Sequence, residues 1–298
     1  MDPHSTQSTR GHHDRNAWGV TVPSPCRTTC MMNTPTQPER PNIRVATLPE
    51  RLGAVDQRTT VVVIDTLRFT SCACTALAHQ ASAIHVAGSI SEAMAQRDAL
   101  SGPVLLCGER ECKPIPGFDL GNSPSEYTRG RVGGRTLIFT TTNGTRAVAA
   151  AQRAGTILLG SLLNRQAIAR FLWKSSRAGP SPADIRILCA GTNGTIAGED
   201  LLTAGAILAA GDFPVTDEDS LQALALWNRV CSKHVGDPQS GQPLERESIQ
   251  TFFAQTDGGK NLIAAGYQDD LALAAELDRW NVIPRLVSPD CGFQGVWV

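Results

Sequence analysis

The chain has 298 residues, 41% of them hydrophobic and 18% charged, and its 27 Lys+Arg against 28 Asp+Glu give a formal net charge of −1. That length supports a substantial core in one domain or two, and so even a charge balance argues against a nucleic-acid or membrane partner. Aromatics make up only 5%, too few for base-stacking platforms, and no apolar run reaches the ~18–20 residues of a membrane span.

Residues 1–41 are dominated by Pro, Ser, Thr and Gln and are expected to be a disordered tail. His4, Arg10, His12 and His13 stand there, but no apolar segment makes the tail a secretory signal. The folded domain is expected over 42–288, with a subdomain break near 179–183 and a C-terminal tail at 289–298. The nine cysteines are an odd count. Cys72, Cys74, Cys107 and Cys112 have no zinc-finger spacing and are read as reduced, buried small residues of a cytoplasmic protein.

From Ile43 onward strands alternate with helices. Thr60–Ile64 is a β-branched run of the kind buried on both faces of a parallel sheet. Helix is predicted over 66–80, then a strand at 84–87. Ser89 and Glu92 have capping-box spacing and open a helix to Leu100. Strands follow at 104–107, 135–140 and 157–159, with a helix over 145–154, and Asn164 is expected to cap a helix reaching Arg177. A strand at 185–190 and a helix at 196–210 lead into a helical C-terminal third: 219–233, 247–255 and 269–279. Val282–Val287, interrupted by Pro284, is predicted as an edge strand. The expected class is α/β, a three-layer α/β/α arrangement with a largely parallel or mixed sheet, and two related subdomains as an open alternative.

Four stretches carry chemistry. Asp65 ends the buried run VVVI, where a parallel strand opens on the ligand crevice, and Arg68 follows one turn on. Gly108–Pro124, GERECKPIPGFDLGNSP, concentrates Glu109, Arg110, Glu111, Lys113 and Asp119 in a loop that Pro114, Pro116, Gly117 and Gly121 keep out of regular structure. Thr142-Asn143-Gly144-Thr145 and Thr192-Asn193-Gly194-Thr195 repeat TNGT at an offset of 50, each between a predicted strand and a helix. The repeat suggests duplication and two helix N-termini suited to anions, with Arg146 beside the first. Glu199 and Asp200 stand early in the next helix, where one of them can face a metal.

The ordinary readings stay open for each: a solvated loop, N-cap turns, and acids placed by the helix dipole. No P-loop, G-x-S-x-G, H-E-x-x-H or G-x-G-x-x-G occurs, and beyond the tail there are only His79, His85 and His234. Carboxylates working with a hard cation on an anionic substrate remain. A haloacid-dehalogenase pattern wants a second acid two residues after the first, where Leu67 stands. A non-catalytic anion-binding protein is the alternative from another class.

VVVIDTLRFTSCACTAL, GERECKPIPGFDLGNSPSEY, GRTLIFTTTNGTRAV and GTIAGEDLLTAGAI together, in this order from about Ile43 to Leu286, resemble the 2-phosphosulfolactate phosphatase family, the ComB-like proteins. Phe69 and residues 1–41 depart from the family pattern. The resemblance implies a Mg2+-dependent phosphatase that hydrolyses (2R)-2-phospho-3-sulfolactate to 3-sulfolactate and phosphate, a step toward coenzyme M in methanogens. Phosphatases of other 2-hydroxy-acid phosphates remain the alternative. On that reading Asp65, Glu109 and Asp119 are catalytic, and the metal ligands come from these three with Glu199 and Asp200. Arg68, Arg110, Lys113, Asn122, Ser123, Thr142, Asn143, Gly144, Thr145, Arg146, Asn193 and Gly194 are expected to bind the small anionic phosphorylated substrate. Glu111 falls outside the resembling motif and is assigned to solvent. Water attack and an aspartyl-phosphate on Asp65 both stay open, as does a homodimer.

Overall fold

A computed structural model describes residues 41–177, 184–231 and 244–298. The expected tail and the break near 179–183 fall outside the described residues, apart from Pro41. Ten strands form one sheet: β1 (Asn42–Ala46), β2 (Thr59–Ile64), β3 (Ala83–Val86), β4 (Val104–Arg110), β5 (Lys113–Pro114), β6 (Thr136–Thr140), β7 (Thr156–Gly160), β8 (Asp184–Cys189), β9 (Val282–Ser288) and β10 (Gly292–Trp297). Among them run α1 (Phe69–Ala78), α2 (Ile90–Ala99), α3 (Arg129–Val132), α4 (Gly144–Ala151), α5 (Arg165–Ser176) and α6 (Gly198–Ala210). Four more, α7 (Glu218–Cys231), α8 (Leu244–Gln255), α9 (Asp257–Ala264) and α10 (Gln268–Ala274), precede β9.

The strand order β1-β8-β2-β7-β9-β10-β3-β6-β4-β5 divides the sheet into two parallel blocks. One is β1-β8-β2-β7 and the other β3-β6-β4, and the antiparallel β9–β10 hairpin joins them. The mixed, mostly parallel sheet with helices on it agrees with the α/β expectation. Two details differ. Residues 289–298 are not a tail, because 292–297 form β10. Val282–Ser288 is not an edge strand: β9 sits mid-sheet, paired to β7 through Leu158↔Arg285. Pro284 is tolerated there because this pairing is a narrow seam and does not need a donor from every residue.

Alternation along the strands explains why both sheet faces are covered. Val61, Val63, Ile157 and Leu159 of one block share a core with Ile84, Leu137 and Phe139 of the other, and α1 and α4 pack into it. The intervening residues Val62, Ile64 and Leu158 face Ile168 and Leu172 of α5 and Ile207 of α6, while Ile138 and Leu106 meet Ala93 of α2. Each such fully buried side chain contributes roughly 1.5–3 kcal/mol. A further cluster joins Leu202 and Ala206 of α6 to Trp227, Phe253, Leu262 and Leu271 of the C-terminal helices, with Leu67 and Cys112 against it. That cluster seats α9 and α10 beside the end of β2.

Local signals resolve unevenly. Ser89 Oγ accepts from Glu92 N–H at 3.1 Å as predicted, although Glu92 returns its bond to Gly88 N–H rather than to Ser89. Asn164 precedes α5 without capping it: its amide donates to the Leu159 and Val282 carbonyls and so ties β7 to β9. The seven described cysteines are free, and Cys72, Cys74, Cys107 and Cys189 are buried. No described helix is long and apolar enough to cross a membrane.

Candidate active site

Asp65 directly follows β2 and lines a cleft of about 150 Å³. Its side chain is nearly buried, and Oδ1 accepts from Phe69 N–H at 3.3 Å, in the first turn of α1. The backbone N–H of Gly144, at the start of α4, lies near enough to the same carboxylate to favour its ionised form. One acid thus receives two helix N-termini, each carrying a partial positive charge. Glycine is required at 144 because a Cβ would lie 2.6 Å from Asp65 Oδ2 and 2.5 Å from Phe69 Cδ1.

Opposite Asp65, the end of β4 delivers Glu109. Oε1 accepts from both N–H (3.1 Å) and Oγ–H (3.2 Å) of Thr142, and Oε2 accepts from Cys112 N–H at 2.9 Å. The sharp reversal into β5 is made by Glu111 and Cys112, both at positive φ (52° and 64°). That reversal leaves Glu111 exposed, in keeping with its assignment to solvent, at the rim of the cleft. Asn122 and Thr141 also line the cleft, and Asn122 Oδ1 and Thr141 Oγ1 are buried with no protein partner.

The two TNGT turns meet, though they come from different blocks of the sheet. Asn193 N–H donates to Asn143 Oδ1 at 3.2 Å, which consumes the acceptor and leaves the Asn143 amide donors for the cleft. Their conformations differ. The first opens α4, whereas Thr192 and Thr195 close a tight turn with N–H···O bonds of 2.9 and 3.0 Å. Asn193 and Gly194 sit at φ 52° and 79° there, and α6 begins only at Gly198. The first helix N-terminus therefore serves Asp65, and the second copy opens no helix.

Arg68 is the cation that lines the cleft, held by Asp270 of α10 at 2.7 Å and by the Cys112 carbonyl at 2.9 Å. Gly258, Asn261 and Leu262 of α9 complete the wall. The sequence reading missed α9 and Asp270 altogether. One signal was legible, the consecutive glycines 258 and 259 inside a short helix: a Cβ would fall 2.0 Å from Glu199 Oε1 at Gly258 and 1.8 Å from the Phe253 carbonyl at Gly259.

Several expected site residues lie elsewhere. Asp119 is exposed and accepts from Leu106 N–H at 2.8 Å, pinning the loop to β4. The Arg110 guanidinium binds the Thr140 carbonyl and hydroxyl (3.2 and 3.0 Å), holding β4 to β6. Lys113 is exposed in β5, and Arg146 pairs with Glu50 at 3.1 Å on the surface. Thr145 bonds back to the Thr141 carbonyl, Gly194 does not line the cleft, and Ser123 donates to Asp270. Asp200 is buried with both oxygens taken, by Thr66 N–H (2.8 Å) and Gly191 N–H (3.1 Å). It fixes the two strand-end loops to each other. Glu199 does not line the cleft, but its Oε2 is buried and unpartnered beside it. Neither Asp119 nor Asp200 lines the cleft.

Asp65, Glu199 and Asp200 are costly to ionise. Burial, reinforced by the Glu109 and Glu199 carboxylates, pushes Asp65 up to about 7. Burial also raises Glu199 and holds Asp200 well above the usual carboxylate range. A carboxyl raised on folding binds more protons folded than unfolded between its ordinary and its raised value. Stability should therefore fall as pH rises through that window. For metal-free protein the melting temperature is expected to drop by about 5 °C between pH 5 and pH 8. Thermal unfolding in chelator across that range checks it, and a rising melting temperature would contradict the burial argument.

A family model described as 2-phosphosulpholactate phosphatase matches residues 46–289. The chain belongs to the 2-phosphosulfolactate phosphatase family. Relatives carrying the name "Probable 2-phosphosulfolactate phosphatase" include one from Symbiobacterium thermophilum, 39% identical over 75% of this chain and 89% of the relative. Others are from Caldanaerobacter subterraneus subsp. tengcongensis, 36% identical over 76% and 87%, and from Deinococcus radiodurans, 38% identical over 77% and 88%. The family is one of phosphoric monoester hydrolases.

The donor set of this family member suits a hard cation. Asp65, Glu109, Thr141 and Asn122 offer oxygens only, and two of those oxygens lack a protein partner. Among the described residues no group of three or more His, Cys, Asp or Glu side chains is arranged around a metal position. A closed cage is therefore absent there. Mg2+, which keeps several waters and takes one or two carboxylates, fits such a half-open set.

Proposed function

We propose that the chain is a Mg2+-dependent phosphatase that hydrolyses (2R)-2-phospho-3-sulfolactate to 3-sulfolactate and phosphate. The observation that carries the reading is the charge inventory of the cleft, where, among the described residues, Asp65, Glu109 and Glu111 face a single guanidinium, Arg68. A substrate bearing phosphate, carboxylate and sulfonate would be repelled by that lining unless a dication or bound protons offset it. Asp65 and Glu109 would hold Mg2+, which would supply charge neutralisation at the phosphoryl oxygens.

The remaining work falls to the chain. Arg68 presents its fork of N–H donors to phosphate oxygens. Asn143, its oxygen tied to the second TNGT turn, offers only donors, which suits an oxyanion such as sulfonate. Thr142 and Cys112 fix Glu109, and Phe69 and Gly144 fix Asp65, so neither carboxylate reorients during the reaction. Water attacks phosphorus in line with the ester oxygen. The new P–O bond forms as the bond between phosphorus and the sulfolactate C2 oxygen breaks; the attacking water gives up one proton to solvent and the departing alkoxide takes one up from it, leaving sulfolactate and hydrogen phosphate.

Phosphate release from 2-phosphosulfolactate, phospholactate and phosphoglycolate, with Mg2+ or with chelator, tests the reading. Release is expected from the first far above the others, to be abolished by chelator, and to stay within about twofold in Lys113→Ala and Arg146→Ala. The last expectation follows from the small worth of exposed charges remote from the cleft. Equal turnover of all three substrates would remove the sulfolactate assignment, and turnover in chelator would remove the Mg2+ requirement.

A further inference from the structure

We propose that Asp270 is the positioning residue for Arg68, which makes α10 and the Ser123 loop part of the anion site. The pair is sealed, with the Arg68 and Asp270 side chains 2% and 4% exposed at an N–O distance of 2.7 Å. The other Asp270 oxygen accepts from Ser123 Oγ–H at 2.5 Å, so both carboxylate oxygens are committed. Arg68 is held on two further sides. Its second terminal nitrogen donates to the Cys112 carbonyl at 2.9 Å, and the Tyr267 ring lies 4.4 Å from its Cζ. Three chain segments, 202 and 147 residues apart in the two bonds, thus converge on one buried ion pair at the cleft wall.

A buried ion pair is a poor device for stability alone, since its desolvation cost offsets much of the attraction. What it supplies is direction. With one N–H on Asp270 and one on Cys112, the unengaged N–H donors of Arg68 have a single orientation in which to meet phosphate oxygens. The pair also sets two effects against each other. Neutralising Asp270 removes a negative charge near the anion, which on Coulombic grounds alone strengthens anion binding. It also frees the guanidinium to turn, which weakens binding. The sign of the change therefore separates positioning from plain electrostatics.

The proposal rests on Arg68 being the anion anchor of the function proposed above. Inorganic phosphate, titrated calorimetrically into the full chain with saturating Mg2+, is the probe, alongside KM and kcat for 2-phosphosulfolactate. Asp270→Asn is expected to weaken phosphate binding about tenfold and to raise KM more than it lowers kcat. In Arg68→Lys, which lacks the planar fork, adding Asp270→Asn should cost almost nothing more. Tighter phosphate binding in Asp270→Asn, additive losses in the double variant, or no phosphate binding by the unaltered chain would each overturn the proposal. So would a lowered melting temperature with phosphate affinity unchanged. If Asp270→Asn fails to fold, Ser123→Ala carries the same test with an expected weakening of about threefold, and an unchanged affinity there overturns it. Turnover is read separately: an unaltered chain that binds phosphate in this Arg68-dependent way but releases none from 2-phosphosulfolactate loses the substrate assignment, and the positioning role stands.

Discussion

Asp65→Asn is expected to lower kcat/KM for phosphate release by about a thousandfold while leaving the fold intact. The substitution keeps the shape of the side chain and an oxygen that can accept from Phe69 N–H. It removes the charge that three features concentrate here: the end of β2, the N-terminus of α1 and the N-terminus of α4. Stability should move the other way. Because burial already disfavours the ionised form of Asp65, the neutral amide relieves the repulsion from the Glu109 and Glu199 carboxylates, and metal-free Asp65→Asn should melt no lower than the unaltered chain at pH 8. Activity lost without stability lost marks a functional acid. Activity kept within tenfold, measured at saturating Mg2+, would remove Asp65 from the mechanism.

Gly144→Ala should damage both properties. The new methyl would sit 2.5 Å from Phe69 Cδ1 and 2.6 Å from Asp65 Oδ2. Phe69 cannot yield, because its ring is fully buried and meets Phe139 edge-on at a centroid distance of 5.3 Å. The helix must retreat instead, taking Thr142 and Asn143 from the cleft and Gly144 N–H from Asp65. Overpacking of this kind costs about 1–3 kcal/mol, a fall of roughly 5 °C in melting temperature for a domain of this size. Misplacing the site by about 1 Å costs on the order of a hundredfold in kcat/KM. Thermal unfolding and steady-state kinetics on the same sample check both. Unchanged kinetics would show that the approach of α4 to Asp65 is not needed.

The legible part of the site was local. Asp65 at the end of VVVI, Glu109 after the 104–107 run and the two TNGT turns were all readable because a strand end in a parallel sheet projects the next side chains into the crevice. What misled was charge. Arg110, Lys113, Asp119 and Arg146 lie within a few residues of the cleft in sequence, but each has a nearer partner in Thr140, the β5 hairpin, Leu106 N–H or Glu50. Sequence proximity does not report which way a side chain turns when a hairpin reverses in two residues. Asp270 had the opposite fate: unremarkable in a helical stretch, it became a buried partner of Arg68 across 202 residues.

By itself the sequence determined the α/β class, the strand-end acid and the family, since hydrophobic period, β-branching and short motifs are properties of contiguous residues. Only the tertiary structure decided how the two parallel blocks are joined, why the two TNGT turns touch, and that α9 walls the cleft while α10 holds Arg68. Those outcomes depend on the β9–β10 hairpin, which pairs the last strands of the chain with β7 on one side and β3 on the other. Long-range pairing of that kind is set by the packing of faces that no local pattern encodes.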